Sequence, residues 1–514
     1  MSDDSDLPRP TRRDLLAAAG AFAMAGMSGQ ASAQVPDHPA PHRPAPLPRG
    51  EGKPLVAIQI GGRSFVDEGV ERCLDTLQAT AGINTIMAAV FTYGGGLAGR
   101  QGRSQPLPDH GVQEYDQVHG GSYAAIHPEF YEGSVIRDIR APELGSFDIL
   151  GDVIPAAKAR GMKTYALFEE NYNPRLIPNF EKIAEVDLFG RVGRSSCFNN
   201  PNFRSFIASM VADWVSSNDI DGLMWESERQ GPFNSALGIH FGDAALRRSN
   251  IACFCEHCTS KARELGIDAR RAREGYLALD GWVKRVLAAP RGADGAFVPF
   301  WRILLDYPEI LAWHRFWGAS QEEAYGLIYG TAKRIRPTIQ VGWHIMHLVT
   351  MSPFYQADVD YARLLPFADF LKPCPYNNCA GPRLAEYVRN TQATLFRDMT
   401  PEQVLDMTYR MMGLTGEASL DKLPTAGLSA NSVAVETRRA IADVGGAVPI
   451  YPGIDIDIPT GRDQKRTRPQ DVKAATGAAL DAGAAGVILS RKYAEMRLTN
   501  LAGAGAALRE RHLI

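Results

Sequence analysis

Eight β-rich runs, each followed by a helical period or a helix-bearing insertion, predict an α/β fold: a (β/α)8 TIM barrel with long insertions after strands four and six. Such alternation calls for parallel strands joined by crossovers. Against a nucleotide-binding doubly wound sheet, no GxxxxGK[ST] run occurs, and Gly94-Gly95-Gly96 reads as a strand-end loop, not a phosphate cradle. The chain has 514 residues, 45% of them hydrophobic and 22% charged, enough for a large core. Net charge is −3, and arginine runs such as Arg270-Arg271-Ala272-Arg273 are short and interleaved with acids, so no basic surface suits nucleic acid.

The elements follow in order. "LVAIQI" (55–60) leads to a helix over 67–81 with Val70, Leu74 and Leu77 on one face. "INTIMAAVF" (83–91) opens into a Gly- and His-rich loop, after which "FDILGDVIPAAKARG" (147–161) is a helix ended by Gly161. "KTYALF" (163–168) runs into Glu169 and Glu170, and a helix near 202–218 leads to "IDGLMWESE" (220–228). "IQVGWHIM" (339–346), "DFLKPCPY" (369–376), "AVPIYPGID" (447–455) and "AGVILSRK" (485–492) complete the eight, with helices at 471–482 and 494–510. Residues 229–308 and 377–446 are the insertions. They follow strand ends, so they are expected to wall a cleft on the C-terminal face.

Residues 1–33 stand apart from the barrel assigned to 53–514. Arg12-Arg13, a modest apolar run from Leu15 to Met27 and Ala31-Ser32-Ala33 describe a twin-arginine export signal, implying the export machinery as partner and a periplasmic or secreted address. That run is shorter than the roughly 20 residues a membrane span needs, and no other segment qualifies. The Pro-rich stretch 34–52 reads as an extended tether.

Strand C-termini of a barrel converge on one pocket. Here they carry Tyr93, Glu169, Glu170, Glu226, Glu228, Trp343, His344, His347, Lys372, Tyr376, Asp455, Asp457, Arg491 and Lys492, with Trp225 and Tyr451 close by in their strands. Carboxylates plus aromatics suit sugar chemistry: two carboxyls act on a glycosidic bond while aromatic faces stack on pyranose rings. The candidate substrate-binding set is therefore Trp225, Glu169, Glu170, Trp343, His344, Lys372, Tyr376 and Tyr451. Structural alternatives stand beside it: salt bridges for Glu169 and Glu170, core positions for Trp225 and Trp343, hydrogen-bonded structural roles for His344 and His347, and loop caps for Asp455 and Asp457. Glu226 and Glu228, at i and i+2, face the same side of an extended strand, and inward acids are costly unless used or paired.

Three of the seven cysteines fall within six positions, Cys253, Cys255 and Cys258. The odd total argues against a fully paired disulfide set, and export in the folded state, from a reducing cytoplasm, favours a metal site. At this point the chain resembles the glycoside hydrolase family 42 β-galactosidases and similar clan A barrels. In that family a lone cysteine before strand four joins a C-x-C-x-x-C run after it to bind structural zinc. The resemblance implies a closed Zn site of Cys197, Cys253, Cys255 and Cys258, with His257 a possible substitute and Cys73, Cys374 and Cys379 left as free or buried thiols. It also implies Glu228 as acid/base, with Ser227 where the family has Asn. A competing alignment, Asp221-Gly222 to Glu226, resembles the strand-four nucleophile of fucosidase-like barrels. Strand seven offers Asp455 where clan A carries a Glu nucleophile.

The resulting expectation is an exported glycoside hydrolase cleaving a glycoside or oligosaccharide, with catalytic Glu228, Glu226 and Asp455 and structural zinc. Glu228 would have its pKa raised by burial and by Glu226. The rival readings are a non-catalytic carbohydrate-binding barrel and a metal-dependent lyase or isomerase using Lys372 or His344 as base.

Overall fold

The computed structural model describes residues 53–93, 108–112, 120–172, 177–288 and 292–514. The expected export signal, the expected tether and the Gly94-Gly95-Gly96 loop lie outside the described residues. By internal contacts the chain divides into Met1–Arg43 and Pro44–Ile514, and every element below belongs to the second unit.

Eight strands form the predicted barrel: β1 (Leu55–Gly61), β2 (Thr85–Tyr93), β3 (Lys163–Tyr172), β4 (Gly222–Glu226), β5 (Gln340–Ile345), β6 (Phe370–Pro373), β7 (Gly453–Asp455) and β8 (Gly486–Ser490). They are parallel and run β7-β8-β1-β2-β3-β4-β5-β6. The two ends meet through a parallel bridge between Leu371 and Ile450. There Leu371 donates its N–H to Pro449 O (3.1 Å) and accepts from Tyr451 N (2.9 Å), closing the cylinder. Parallel strands buried on both faces need continuous apolar runs, which the β1, β2 and β8 sequences supply.

The helical layer comprises α1 (Val70–Ala81), α2 (Ile149–Ala159), α3 (Pro201–Ser217), α4 (Glu309–Ile335), α5 (Asn377–Ala393), α6 (Ala430–Asp443), α7 (Pro469–Asp481) and α8 (Leu498–Arg509). Caps read from sequence set several ends. Asp148 accepts from Leu150 N before α2, and Asn200 accepts from Asn202 N before α3. The helix expected over 67–81 is split at Gly69, whose φ of 82° a helix cannot hold. Among its described residues the insertion 229–308 carries five helices ahead of α4. The segment 377–446 does not all stand above the rim. It contains α5 and α6, and α6 packs against α7 and β6 as part of the helical ring. Among the described residues no helix is long and apolar enough to cross a membrane.

Inside the barrel Ala57, Met87, Ala89, Tyr165, Leu167, Met224, Phe370 and Ile488 form their own core, separate from the one between strands and helices. The Phe370 ring lies 5.7 Å from Tyr165 and 5.6 Å from Tyr451, so three aromatics plug the lumen below the site. Their volume is accommodated by glycine: a Cβ on Gly342 would lie 2.4 Å from the Phe370 ring. Gly342→Ala is therefore expected to destabilise the barrel by about 1–3 kcal/mol through overpacking. Urea unfolding measures this, and an unchanged midpoint would contradict the lumen packing described here.

Candidate active site

The register of the parallel strands sorts residues into two rows. Phe168, Trp225, Trp343 and Leu371 are successive partners across β3, β4, β5 and β6; one residue further on, so are Glu169, Glu226, His344 and Lys372. Side chains alternate along a strand, so the first row faces the helices and the second the lumen. This corrects two candidates. Trp225 is buried against Phe168, Phe198 and Tyr325, and Trp343 is buried with its indole N–H on Phe367 O at 2.9 Å. Neither offers a face to a sugar.

The lumen row ends in a charged cluster beneath the C-terminal face. Lys372, fully buried, donates to Gln59 Oε1 (2.9 Å), Glu226 Oε1 (3.2 Å) and the Tyr376 hydroxyl (3.1 Å). Glu226 Oε1 also accepts from Gln59 Nε2 and lies 2.8 Å from His344 Nδ1. All of these donors converge on Oε1, leaving Oε2 without a hydrogen-bond partner among the described residues. Burial alone would raise the Glu226 pKa, but the charges of His344 and Lys372 outweigh it and hold the carboxyl at about 2. Burial likewise opposes charge on His344, yet the neighbouring Cys374 and Glu226 carry its pKa well above the usual histidine value. The Cys374 sulfur lies 3.6 and 3.7 Å from the two ring nitrogens.

Glu228, two residues past Glu226, reaches the other edge of the same imidazole, with Oε1 3.2 Å from His344 Nε2. Its side chain keeps 59% of its surface, so it is the cluster's solvent-facing member. The expected rise in its pKa is reversed. Burial and Glu226 do push upward, but the hydrogen bond and charge of His344, with Arg383, pull it below the ordinary carboxyl value. Arg491 adds a second cation. It is paired with Glu495 (2.7 and 2.9 Å), and burial is outweighed by Glu495, Glu228 and Glu169, which raise its pKa. His347 sits beside Arg383 Nη1 (2.9 Å), and burial with that guanidinium holds its pKa well below normal, so it is neutral.

Asp455 has a different job from the catalytic one expected. It is fully buried, and its oxygens accept from Cys379 N (2.8 Å) and from the backbone (3.3 Å) and side-chain (3.2 Å) nitrogens of Asn378. It therefore satisfies the first N–H groups of α5, which no other side chain caps. Asp457 accepts from Arg497 N and Asn500 Nδ2 (both 2.8 Å), tying the β7 loop to α8. Tyr451 packs on Phe370 two inward positions below Asp455, within the lumen plug and away from the cleft. Tyr376 is buried and orients Lys372. Glu169 is buried in the lumen row, while the Glu170 side chain lies outside the described residues. Gln59, Cys374 and Arg383 were not foreseen. A lone amide at an inward position of "LVAIQIG" was the signal for Gln59; nothing local marked the other two.

The Sγ atoms of Cys197, Cys253, Cys255 and Cys258 all lie within 4.8 Å of one another, with Cys197 3.5 Å from both Cys255 and Cys258. Tetrahedral zinc with Zn–S bonds of ~2.3 Å places its sulfurs about 3.8 Å apart, so the cluster has a size that fits the ion. Backbone N–H groups of Val186 and Cys258 point at Cys253 and Cys255 sulfurs (3.4 and 3.5 Å), as suits thiolates. His257 is outside the group, and Cys73, Cys374 and Cys379 are buried free thiols elsewhere.

No family model matches the chain, and no curated protein is recognisably similar to it in sequence. Among solved structures it is similar to α-L-fucosidase isoenzyme 2 from Paenibacillus thiaminolyticus (14% identity, TM-score 0.47, covering 89% of this chain and 50% of that one). It is also similar to a β-galactosidase from the Antarctic haloarchaeon Halorubrum lacusprofundi (16%, 0.48, 89% and 58%). A third is the PgaB (BpsB) glycoside hydrolase domain from Bordetella bronchiseptica (12%, 0.43, 89% and 98%). The chain thus spans between half and three-fifths of the first two proteins.

The depressed pKa of Glu226 has a stability consequence. Its contribution is fully present above the unfolded value of 4.5 and is lost as pH falls through about 2. A shift of that size is worth on the order of 3 kcal/mol. Denaturant titrations between pH 6 and 2 are expected to show wild-type stability falling in that window. Glu226→Gln should start lower, because Lys372 and His344 lose their counter-charge, and should lack this part of the slope. Parallel curves would contradict the assignment.

Proposed function

We propose that this chain is an exported glycoside hydrolase, related to the family 42-like clan A barrels, in which Glu226 and Glu228 are the working carboxylates. The observation that carries this reading is their convergence on one histidine at the C-terminal mouth of the barrel. One carboxylate is anchored through a single oxygen with the other oxygen left open; the second faces solvent. Catalysis at a glycosidic bond needs this division of labour. In this reading Glu226, kept ionised by Lys372 and His344, acts as nucleophile or stabilises the positive charge that develops at the anomeric carbon. Glu228 supplies the proton to the leaving oxygen, with Arg491 and Glu169 close by for hydroxyl contacts.

The lyase or isomerase reading loses support for Lys372 as base, because its ammonium is fully buried and hydrogen-bonded on every side. The carbohydrate-binding barrel is favoured by two observations: Glu228 is held ionised at rest, and Asp455 is turned into the fold.

The proposal includes structural zinc held by Cys197, Cys253, Cys255 and Cys258. Four thiolates leave it no open position, so its work is to pin the insertion after β4 beside the cleft. It also includes export through Arg12-Arg13 to a periplasmic or secreted address and an oligosaccharide or glycoside substrate.

Sugar release from a panel of aryl glycosides and oligosaccharides tests the activity. Glu226→Gln and Glu228→Gln are each expected to lower kcat/KM by about 10²–10⁴-fold while remaining folded. Saturable sugar binding without turnover would select the binding barrel instead. Elemental analysis of the purified chain is expected to give one zinc per molecule. Cys253→Ser should lose it and expose the insertion to proteolysis; a metal-free wild type with an intact insertion would refute the zinc assignment.

A further inference from the structure

The hydrogen-bond inventory around His344 assigns its protons. A lysine ammonium has three N–H bonds. Those of Lys372 have acceptors in Gln59 Oε1, Glu226 Oε1 and the Tyr376 hydroxyl. His344 Nδ1, 3.1 Å from Nζ, is a fourth contact competing for those three bonds. Nδ1 in turn lies 2.8 Å from Glu226 Oε1, and Nε2 lies 3.2 Å from Glu228 Oε1. An ionised carboxylate only accepts, so a bond from either nitrogen to its carboxylate needs a hydrogen on that nitrogen. With a carboxylate at each edge of the ring, His344 is placed to be an imidazolium held between the two. Two acids and two cations then make an electrically balanced cluster, the arrangement in which buried charge is tolerable.

This arrangement answers a difficulty in the glycosidase reading, on which the following rests. A proton donor to the leaving oxygen must hold a proton, yet Glu228 faces a hydrogen-bond donor and is ionised at rest. We propose that His344 is the proton reservoir of the site, lending its Nε2 proton to Glu228 for departure of the leaving group and regaining it from the attacking water. In the first step the Nε2–H bond breaks and a Glu228 O–H bond forms; the imidazole becomes neutral and keeps its Nδ1–H on Glu226. Glu228 then protonates the glycosidic oxygen as the bond to the anomeric carbon breaks, its electron pair leaving with that oxygen. Water adds its oxygen to the anomeric carbon. Its released proton passes to Glu228 and back to Nε2, restoring the imidazolium, and the net change is hydrolysis alone. His344 is 97% buried and its outward contact is Glu228, so it is a positioning and relay residue acting through Glu228.

The groups facing this histidine are Glu226 and Glu228 from β4 and its loop, and Lys372, Cys374 and Tyr376 from β6 and its loop. His347 follows in the short 3-10 turn after its own strand, Arg383 faces Glu228 from α5, and Arg491 approaches Glu228 from just past β8. Of these, Cys374 and Glu226 favour the protonated ring, while burial and Lys372 oppose it. The relay is therefore expected to fail on the alkaline side, as His344 loses its proton.

Two measurements on the full chain test this. Nitrogen NMR of ¹⁵N-histidine-labelled wild type should show His344 with both ring nitrogens protonated at pH 7. Its signals are assigned by their loss in His344→Gln or by through-space cross-peaks to Lys372 and Cys374, so a variant that fails to fold does not remove the test. An unprotonated ring nitrogen at pH 7 overturns the proposal. Leaving-group dependence supplies the second readout. His344→Gln should lose about 10²-fold or more in kcat/KM on alkyl glycosides, whose leaving oxygen needs a proton, and far less on dinitrophenyl glycosides, whose leaving group does not. It should also lose the alkaline limb of the pH profile. Equal losses on both classes would reduce His344 to a packing role. A wild type that hydrolyses neither class while His344 is doubly protonated would instead remove the glycosidase reading, and the relay with it.

Discussion

A lysine ammonium with no exposed surface must be met by acceptors on every side, and Lys372 is met by residues from opposite sides of the barrel. Gln59 stands at the end of β1, Glu226 at the end of β4 and Tyr376 just beyond β6, with His344 from β5 against the same oxygen of Glu226. These bonds tie four strand ends across the lumen, where backbone hydrogen bonds reach only nearest neighbours. The cluster is costly to break, because removing one partner leaves an uncompensated buried charge worth ~3–5 kcal/mol. Its stability is inseparable from the order of the site: the groups that neutralise Lys372 also orient Glu226, and through His344 they fix where Glu228 faces the cleft.

The lumen below supports this layer mechanically. Tyr165, Phe370 and Tyr451 fill the cylinder, and glycines at Gly222 and Gly342 make room for their rings. The polar groups above therefore rest on a filled apolar floor. On the outer side, Trp225 and Trp343 seal the same strands against α4 and the loop carrying Phe198. One residue of register separates that dry seal from the charged cluster, so a slip by a single position would exchange them.

Much of this was legible in the chain. Eight apolar runs at barrel spacing, the insertion after strand four and the crowding of acids at strand ends are local patterns, and each appears in the structure, whereas much of 377–446 turns out to be the ring helices themselves. Glu226 and Glu228 were marked as a pair by their i, i+2 spacing, and both reach His344. The aromatic candidates failed for a definable reason. Trp225 and Trp343 neighbour the charged residues in sequence, and parity turns them to the opposite face. Asp455 failed because its partners, the backbone N–H groups of Asn378 and Cys379, lie some 77 positions away and declare themselves only when α5 is placed.

By itself the sequence determined the barrel, its strand order and which residue types end each strand, because apolar periodicity and turn chemistry act over a few residues. The proximity of Cys197 to a motif more than fifty positions later, the closure of β6 onto the segment before β7 and the capture of His344 between two carboxylates were decided by the tertiary structure. Each depends on register and crossover geometry among strands distant in the chain. The direction of a pKa belongs to the same class: burial and Glu226 both push Glu228 upward, and only the position of His344, 3.2 Å away, reverses the sign.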